Sequence, residues 1–158
     1  MKRLSRLTLL AAMLLTLFSC SKETVESEPV LDVSAHNIAG IWALAEWSGG
    51  KPAEGTYVYM ELTRRDQLFT IYDNLGSFSA RCRTGRYNIT VDDSIGAAVI
   101  RGQYDYSAGD WQHRYIVTGL TASRMTWTAV DDPADVSVYY RVDAVPQEIL
   151  DELPAKEE

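Results

Sequence analysis

The sequence predicts an all-β fold, an eight-stranded antiparallel up-and-down barrel, with a two-sheet β-sandwich of similar strands as the alternative. Three observations lead there. From Ala39 onward, apolar and polar residues alternate in eight short runs, and no useful length has helical spacing. All five prolines lie outside those runs, as expected of a residue that cannot donate to a ladder. The gaps between runs are short and rich in Gly, Asp and Asn, which suits neighbouring antiparallel strands, whereas a parallel sheet needs crossovers of about a dozen residues.

In chain order, the first element is a delivery segment. Lys2, Arg3 and Arg6 precede an uncharged run of 12 residues, Leu7 to Phe18, and Ser19 stands before Cys20. This is the layout of a secretory signal peptide over residues 1–19. The run is shorter than the roughly 20 apolar residues that a membrane span needs. Leu17-Phe18-Ser19-Cys20 resembles the lipobox of bacterial lipoproteins, although Phe18 stands where a small residue is usual. The resemblance implies lipidation of Cys20 and a cell-envelope location. Each buried CH₂ of an acyl chain contributes about 0.8 kcal/mol, so two or more chains hold the protein on the membrane. Ser21 is not the aspartate of inner-membrane retention, so the resemblance points to an outer-membrane lipoprotein. Lys22-Glu23 is similar to the charged export signal of Bacteroidota surface lipoproteins, and both the periplasmic and the surface-exposed face stay open.

Cleavage removes three of the 15 Lys and Arg and none of the 22 Asp and Glu; 12 against 22 leaves a net charge of −10. So acidic a chain is repelled by nucleic acid, which is excluded as a partner. The remaining 139 residues suffice for one domain. With Cys20 acylated, Cys82 is the one other cysteine, so no disulfide framework is expected and Cys82 reads as a small buried residue. Residues 20–36, with Glu23, Glu26, Glu28, Pro29 and Asp32, read as a lipidated flexible tether.

The barrel domain is expected over residues 37–146, followed by a polar tail over 147–158. Its runs are Gly40 to Trp47, Thr56 to Thr63, Gln67 to Asp73, Arg81 to Val91, Ala97 to Tyr106, Trp111 to Thr118, Arg124 to Ala129 and Val136 to Val142. Gly85 inside the fourth run suggests a bulge. Turns such as Asp73-Asn74-Leu75-Gly76, Asp92-Asp93-Ser94 and Asp131-Asp132-Pro133 separate them. A meander of this kind removes its edges by closing on itself.

Gly40-Ile41-Trp42 on the first run, after the lead-in Ser34 to Ala39, resembles the Gly-x-Trp signature of lipocalins. The body is also similar to the lipocalin-like lipoproteins of Bacteroidota, through Gly85-x-Tyr87, Gly102-x-Tyr104, Tyr115-x-Val117, Met125-x-Trp127 and Tyr139-Tyr140-Arg141. The resemblance implies that Trp42 plugs the closed end of the barrel and that Arg141 packs against it. It departs from secreted lipocalins in two places. Gln147 to Leu153 leaves room for at most about two helical turns, and the loop Ser48 to Gly55 is short for a lid.

If Trp42 faces inward, alternation turns Leu44 and Glu46 inward too. Tyr87, Tyr104, Trp111, His113, Tyr115 and Trp127 are the inward candidates on later strands. With Glu46 they form the candidate ligand-binding set: aromatic faces with hydroxyl, imidazole and carboxylate tips, suited to a small apolar or amphipathic ligand. The alternatives are a tethered protein-interaction module with a filled core, engaging an envelope partner, and a hydrolase-like enzyme using His113 and Glu46 as an acid/base pair. No Gly-x-Ser-x-Gly or His-Glu-x-x-His motif occurs, and the Asp-rich turns lack calcium-loop spacing. Non-enzymatic binding without metal or cofactor is therefore the expectation.

Overall fold

Eight antiparallel strands pair in sequence order, and the last returns to the first to close a barrel. A computed structural model describes residues 27–76 and 79–154. The predicted signal segment, Cys20 and the first part of the tether lie outside the described residues. The strands are β1 (Gly40–Trp47), β2 (Val58–Leu62), β3 (Leu68–Asp73), β4 (Arg81–Asp92), β5 (Ala97–Tyr104), β6 (Tyr115–Thr118), β7 (Arg124–Ala129) and β8 (Val136–Val142). The β1–β8 ladder closes the sheet, so the sandwich alternative does not apply. Two short helices flank the barrel, α1 (Ala35–Ile38) and α2 (Gln147–Asp151).

β1, β7 and β8 have the bounds that alternation predicts, because each carries a clear buried stripe: Trp42, then Met125 and Trp127, then Tyr139. The sixth run is where pattern and structure part. Trp111 to Arg114 lies outside any strand, although Trp111 N–H still donates to Gly102 O at 2.8 Å. Between the pairs Ile100↔Tyr115 and Gln103↔Asp110, β5 advances three residues while the facing chain advances five. Two extra residues bow out of the wall, as in an extended bulge.

Gly85 is not a bulge. It stays in register with Phe69 and Tyr104, and a Cβ there would lie 2.1 Å from Gln103 O and 2.6 Å from the Phe69 ring. The glycine makes room for an aromatic ring. Gly102 does the same for the Trp111 indole, which lies 2.1 Å from where its Cβ would be. The irregularity of the closing seam is instead in β1, between Leu44 and Glu46.

The closed end is built around Trp42, which is fully buried and donates Nε1–H to Ile38 O at 2.8 Å. The Arg141 guanidinium stacks 4.1 Å from the Trp42 ring. Its N–H groups donate to the carbonyls of Ala122, Ala39 and Asn37. Gly40 (φ 139°) lets this fork approach, since a Cβ would sit 2.1 Å from Arg141 Nη1. One side chain thereby ties together the lead-in, the β6–β7 turn and the last strand.

The expected tether through His36 is corrected in its second half. Leu31 N–H donates to Leu120 O at 2.7 Å, Glu28 accepts from the Ser123 backbone and hydroxyl, and Leu31 and Val33 pack on the core. Apolar side chains at alternate positions give this acidic stretch a surface to bury, which outweighs its charge. Cys82 is likewise not buried: it is exposed on β4, opposite Tyr72. β4 buries only the stripe containing Gly85 and Tyr87, and Cys82 has the other parity.

Replacing Arg141 by Lys keeps the charge and loses the planar fork. Arg141→Lys should lower unfolding stability by about 2 kcal/mol, read as a shift in the urea midpoint at constant slope. A change within about 0.5 kcal/mol, the ordinary surface range, would remove Arg141 as the tie of the closed end.

Candidate functional site: the barrel lumen and a groove on its wall

Away from the Trp42 plug, the inward residues line an open-mouthed cavity of about 410 Å³. Leu44, Met60 and Ile71 form its apolar side. Tyr104, Trp111, Tyr115, Trp127 and Tyr139 form its aromatic side. The rings pack in a continuous path: Tyr104 to Phe69 at 5.5 Å, Phe69 to Trp111 at 5.0 Å, Trp111 to Trp127 at 5.5 Å, and Trp127 to Tyr139 at 5.3 Å between centroids. Such tilted and edge-on contacts hold the rings in defined orientations.

One charged side chain joins this wall from β4. Arg83 donates Nη1–H to Tyr104 Oη at 3.0 Å and Nη2–H to Asp73 Oδ2 at 2.7 Å. Asp73 is fully buried and also pairs with Arg81. Two guanidiniums thus share one carboxylate. The third donor of Arg83, Nε–H, is buried without a partner, and so are the indole N–H groups of Trp111 and Trp127. A buried donor left unpaired costs roughly 1–3 kcal/mol. Among the described residues, three of the four unpartnered buried side-chain polar atoms belong to residues that border this cavity, though the atoms themselves are covered by packing; the fourth, Tyr57 Oη, is on a residue that does not border it.

The candidate residues sort as follows. Tyr104, Trp111, Tyr115 and Trp127 line the lumen together. Tyr87 is buried, but its hydroxyl is taken by Thr63 O at 2.8 Å, and it borders a different cavity. Glu46 is exposed and lines neither cavity, which corrects the inward expectation. The reason is the seam irregularity in β1, which adds one residue after Leu44 and inverts the alternation. Trp47 takes the inward place, opposite Ser137, and donates Nε1–H to Asp135 at 2.7 Å.

His113 is also displaced from the lumen. The two extra residues of the bowed segment put it in a groove of about 580 Å³ shared with Arg86, Asn88, Arg101 and Asp131. His113 Nδ1 lies 2.8 Å from Asp131 Oδ1, and this hydrogen bond holds the Asp131 carboxyl below its usual range. His113 and Glu46 border no common cavity, so the acid/base pair expected of them is not assembled. Trp111 borders both lumen and groove and forms part of the wall between them.

Arg83 is absent from the sequence-derived binding set, and Tyr139 enters the sequence reading only through the Tyr139-Tyr140-Arg141 motif. Counting back in twos from Tyr87 through Gly85 reaches Arg83, so the signal was present in the period. Trp47 had none, because a bulge leaves no mark in composition. The Asp-rich turns perform backbone bonding: Asp92 accepts from Ser94 N–H and Asp132 from Ala134 N–H. Among the described residues, no three His, Cys, Asp or Glu side chains come together in a metal-binding group.

Comparison with protein-family models, curated proteins and solved structures finds no match for this chain. The closed eight-stranded barrel is consistent with a lipocalin-like fold.

Burial raises the tyrosine hydroxyls of the interior. Tyr87 is pushed up to about 12, and Tyr115 to about 12 with help from Asp135, Tyr104 and Asp131. Tyr139 is raised by burial as well. A folded-state value above the unfolded value of 10.0 means that the fold holds the proton more tightly. The associated stability is present below pH 10 and is lost as pH climbs through about 12. The urea midpoint should fall steadily across that window, and Tyr115→Phe should flatten part of the fall. An unchanged slope in the variant would mean that Tyr115 does not contribute.

Proposed function

We propose that the chain is an exported, acylated lipoprotein of the cell envelope whose lipocalin-like barrel binds a small amphipathic ligand in its lumen. The observation that carries the binding part is the cavity of about 410 Å³ with an aromatic wall and a few polar side chains along it. Its volume falls within the roughly 300–1,000 Å³ of small-molecule sites. The interaction-module alternative rests on a filled interior, and the cavity weighs against it. Export and acylation rest on Leu17-Phe18-Ser19-Cys20 and on the resemblance to Bacteroidota lipoproteins. The stretch up to residue 27 then serves as the spacer between bilayer and barrel.

The direct test of binding is isolation of the full chain from its native host and mass spectrometry of what accompanies it. A bound molecule should change the emission of Trp111 and Trp127 when it is stripped and returned. Silence of that emission across a broad panel of lipids, sugars and aromatics would sink the binding reading. For the anchor, Cys20→Ser should move the protein out of the membrane fraction and abolish incorporation of a labelled fatty acid. Label retained in the variant would disprove acylation at Cys20.

A further inference from the structure

Given the acylation of Cys20 proposed above, on which this rests, we infer that the barrel turns its closed end to the anchoring bilayer and opens its mouth to the aqueous phase. The deciding feature is where the lead-in is fastened. Glu28 Oε2 accepts from Ser123 N–H at 3.0 Å and from Ser123 Oγ–H at 2.8 Å. Leu31 N–H donates to Leu120 O at 2.7 Å, and Leu31 and Val33 pack on the core. Leu120 and Ser123 lie between β6 and β7, at the end that α1 and the Trp42 indole seal. The mouth is at the other end, where Trp47 closes β1, Asp135 precedes β8 and Asp110 follows β5, all three bordering the cavity. The chain toward Cys20 therefore leaves the barrel at the end away from the mouth.

Length decides what that exit permits. Eight steps of chain separate Glu28 from Cys20. Fully extended, eight residues span at most roughly 28 Å, and a relaxed flexible chain of that length averages on the order of 16 Å. Along β7, nine steps lead from Ser123 to Asp132 in the turn at the mouth. At roughly 3.3 Å per residue and a barrel tilt of about 35–45°, they rise roughly 20–25 Å along the axis. A mouth pressed to the bilayer would need nearly the whole tether drawn straight back along the outer wall, with most of its conformational freedom lost. With the closed end toward the bilayer the same tether stays slack. Release of Glu28 moves the fastening to Leu31, which adds three residues of slack and leaves the exit at the same end.

Apolar surface does not choose between the ends. Trp47, Leu75 and Tyr106 are exposed around the mouth, and Val30, Leu68 and Val91 are exposed at the closed end. The fastening of the lead-in is what separates them. A lipid of the anchoring bilayer would have to leave it and cross water to reach Trp47 and Leu75 at the cavity entrance. A molecule arriving through water meets that rim directly.

The test uses the full acylated chain in vesicles of phosphatidylethanolamine and phosphatidylglycerol that include a lipid with a nickel-chelating headgroup. Cys82→Ser removes the one other thiol. In that background a nitroxide is attached either at the mouth, through Ala108→Cys, or at the closed end, through Ala122→Cys; both positions are exposed and lie between strands. Relaxation of the nitroxide by headgroup nickel should be several-fold stronger at position 122 than at position 108. Equal effects at the two positions, or a stronger effect at 108, would overturn the inference and leave acylation standing. A spacer of about 20 Gly and Ser residues inserted after Ser27 should shrink the contrast. An unchanged contrast would overturn the tether as its cause. Protein that does not float with the vesicles would overturn acylation and the inference with it.

Discussion

The ladder between β1 and β8 is the constraint on which the rest of the molecule depends. Without it the eight strands form an open meander with two bare edges, and a bare edge offers unpaired backbone donors and acceptors to any other strand. With it, the inward side chains share one barrel interior. The seam carries three separate devices within a few residues. Gly40 admits the Arg141 fork, Arg141 stacks on Trp42, and the irregularity between Leu44 and Glu46 turns Trp47 inward. The first two seal one end, and the third brings a large aromatic to the cavity.

The two ends of the barrel use arginine in opposite ways. At the closed end, Arg141 has all three nitrogens bonded to backbone carbonyls, and its charge is spread over Trp42 and those carbonyls. Its role is finished within the protein. At the cavity, Arg83 has two nitrogens engaged and one left over. Fully satisfied buried polar networks rigidify a fold.

Glycine supports this arrangement by subtraction. Gly85 and Gly102 sit on adjacent strands in the wall, and each leaves space for an aromatic side chain, Phe69 in one case and Trp111 in the other. The aromatic path along the lumen therefore follows from where Cβ atoms are missing as much as from where rings are present. The bowed segment Trp111 to Arg114 adds to it. Two extra residues let the Trp111 indole cover Gly102 and carry His113 to the groove on the wall. Trp111 is left as a single layer between groove and lumen.

Strand number, order, class and most strand bounds were legible in the sequence, because alternation records which side chains face a common core, and the turns announce themselves by Asp, Asn and Gly. The plug was legible too: Gly40, Trp42 and Arg141 stand where the resemblance puts them and touch as it implies. The site was legible only in part. Tyr104, Tyr115 and Trp127 followed from parity along regular strands, whereas Glu46, Trp47, Trp111 and His113 lie in or beside irregularities that shift parity without leaving a trace in residue type. Nor could alternation show that Asp73 serves two arginines and so leaves Arg83 a donor to spare, since partners on neighbouring strands are chosen by register. What the sequence determined by itself was which residues want to be buried together. Which of them end up unsatisfied was decided by the closed sheet, because hydrogen bonding is settled by distances across strands and not by order along the chain.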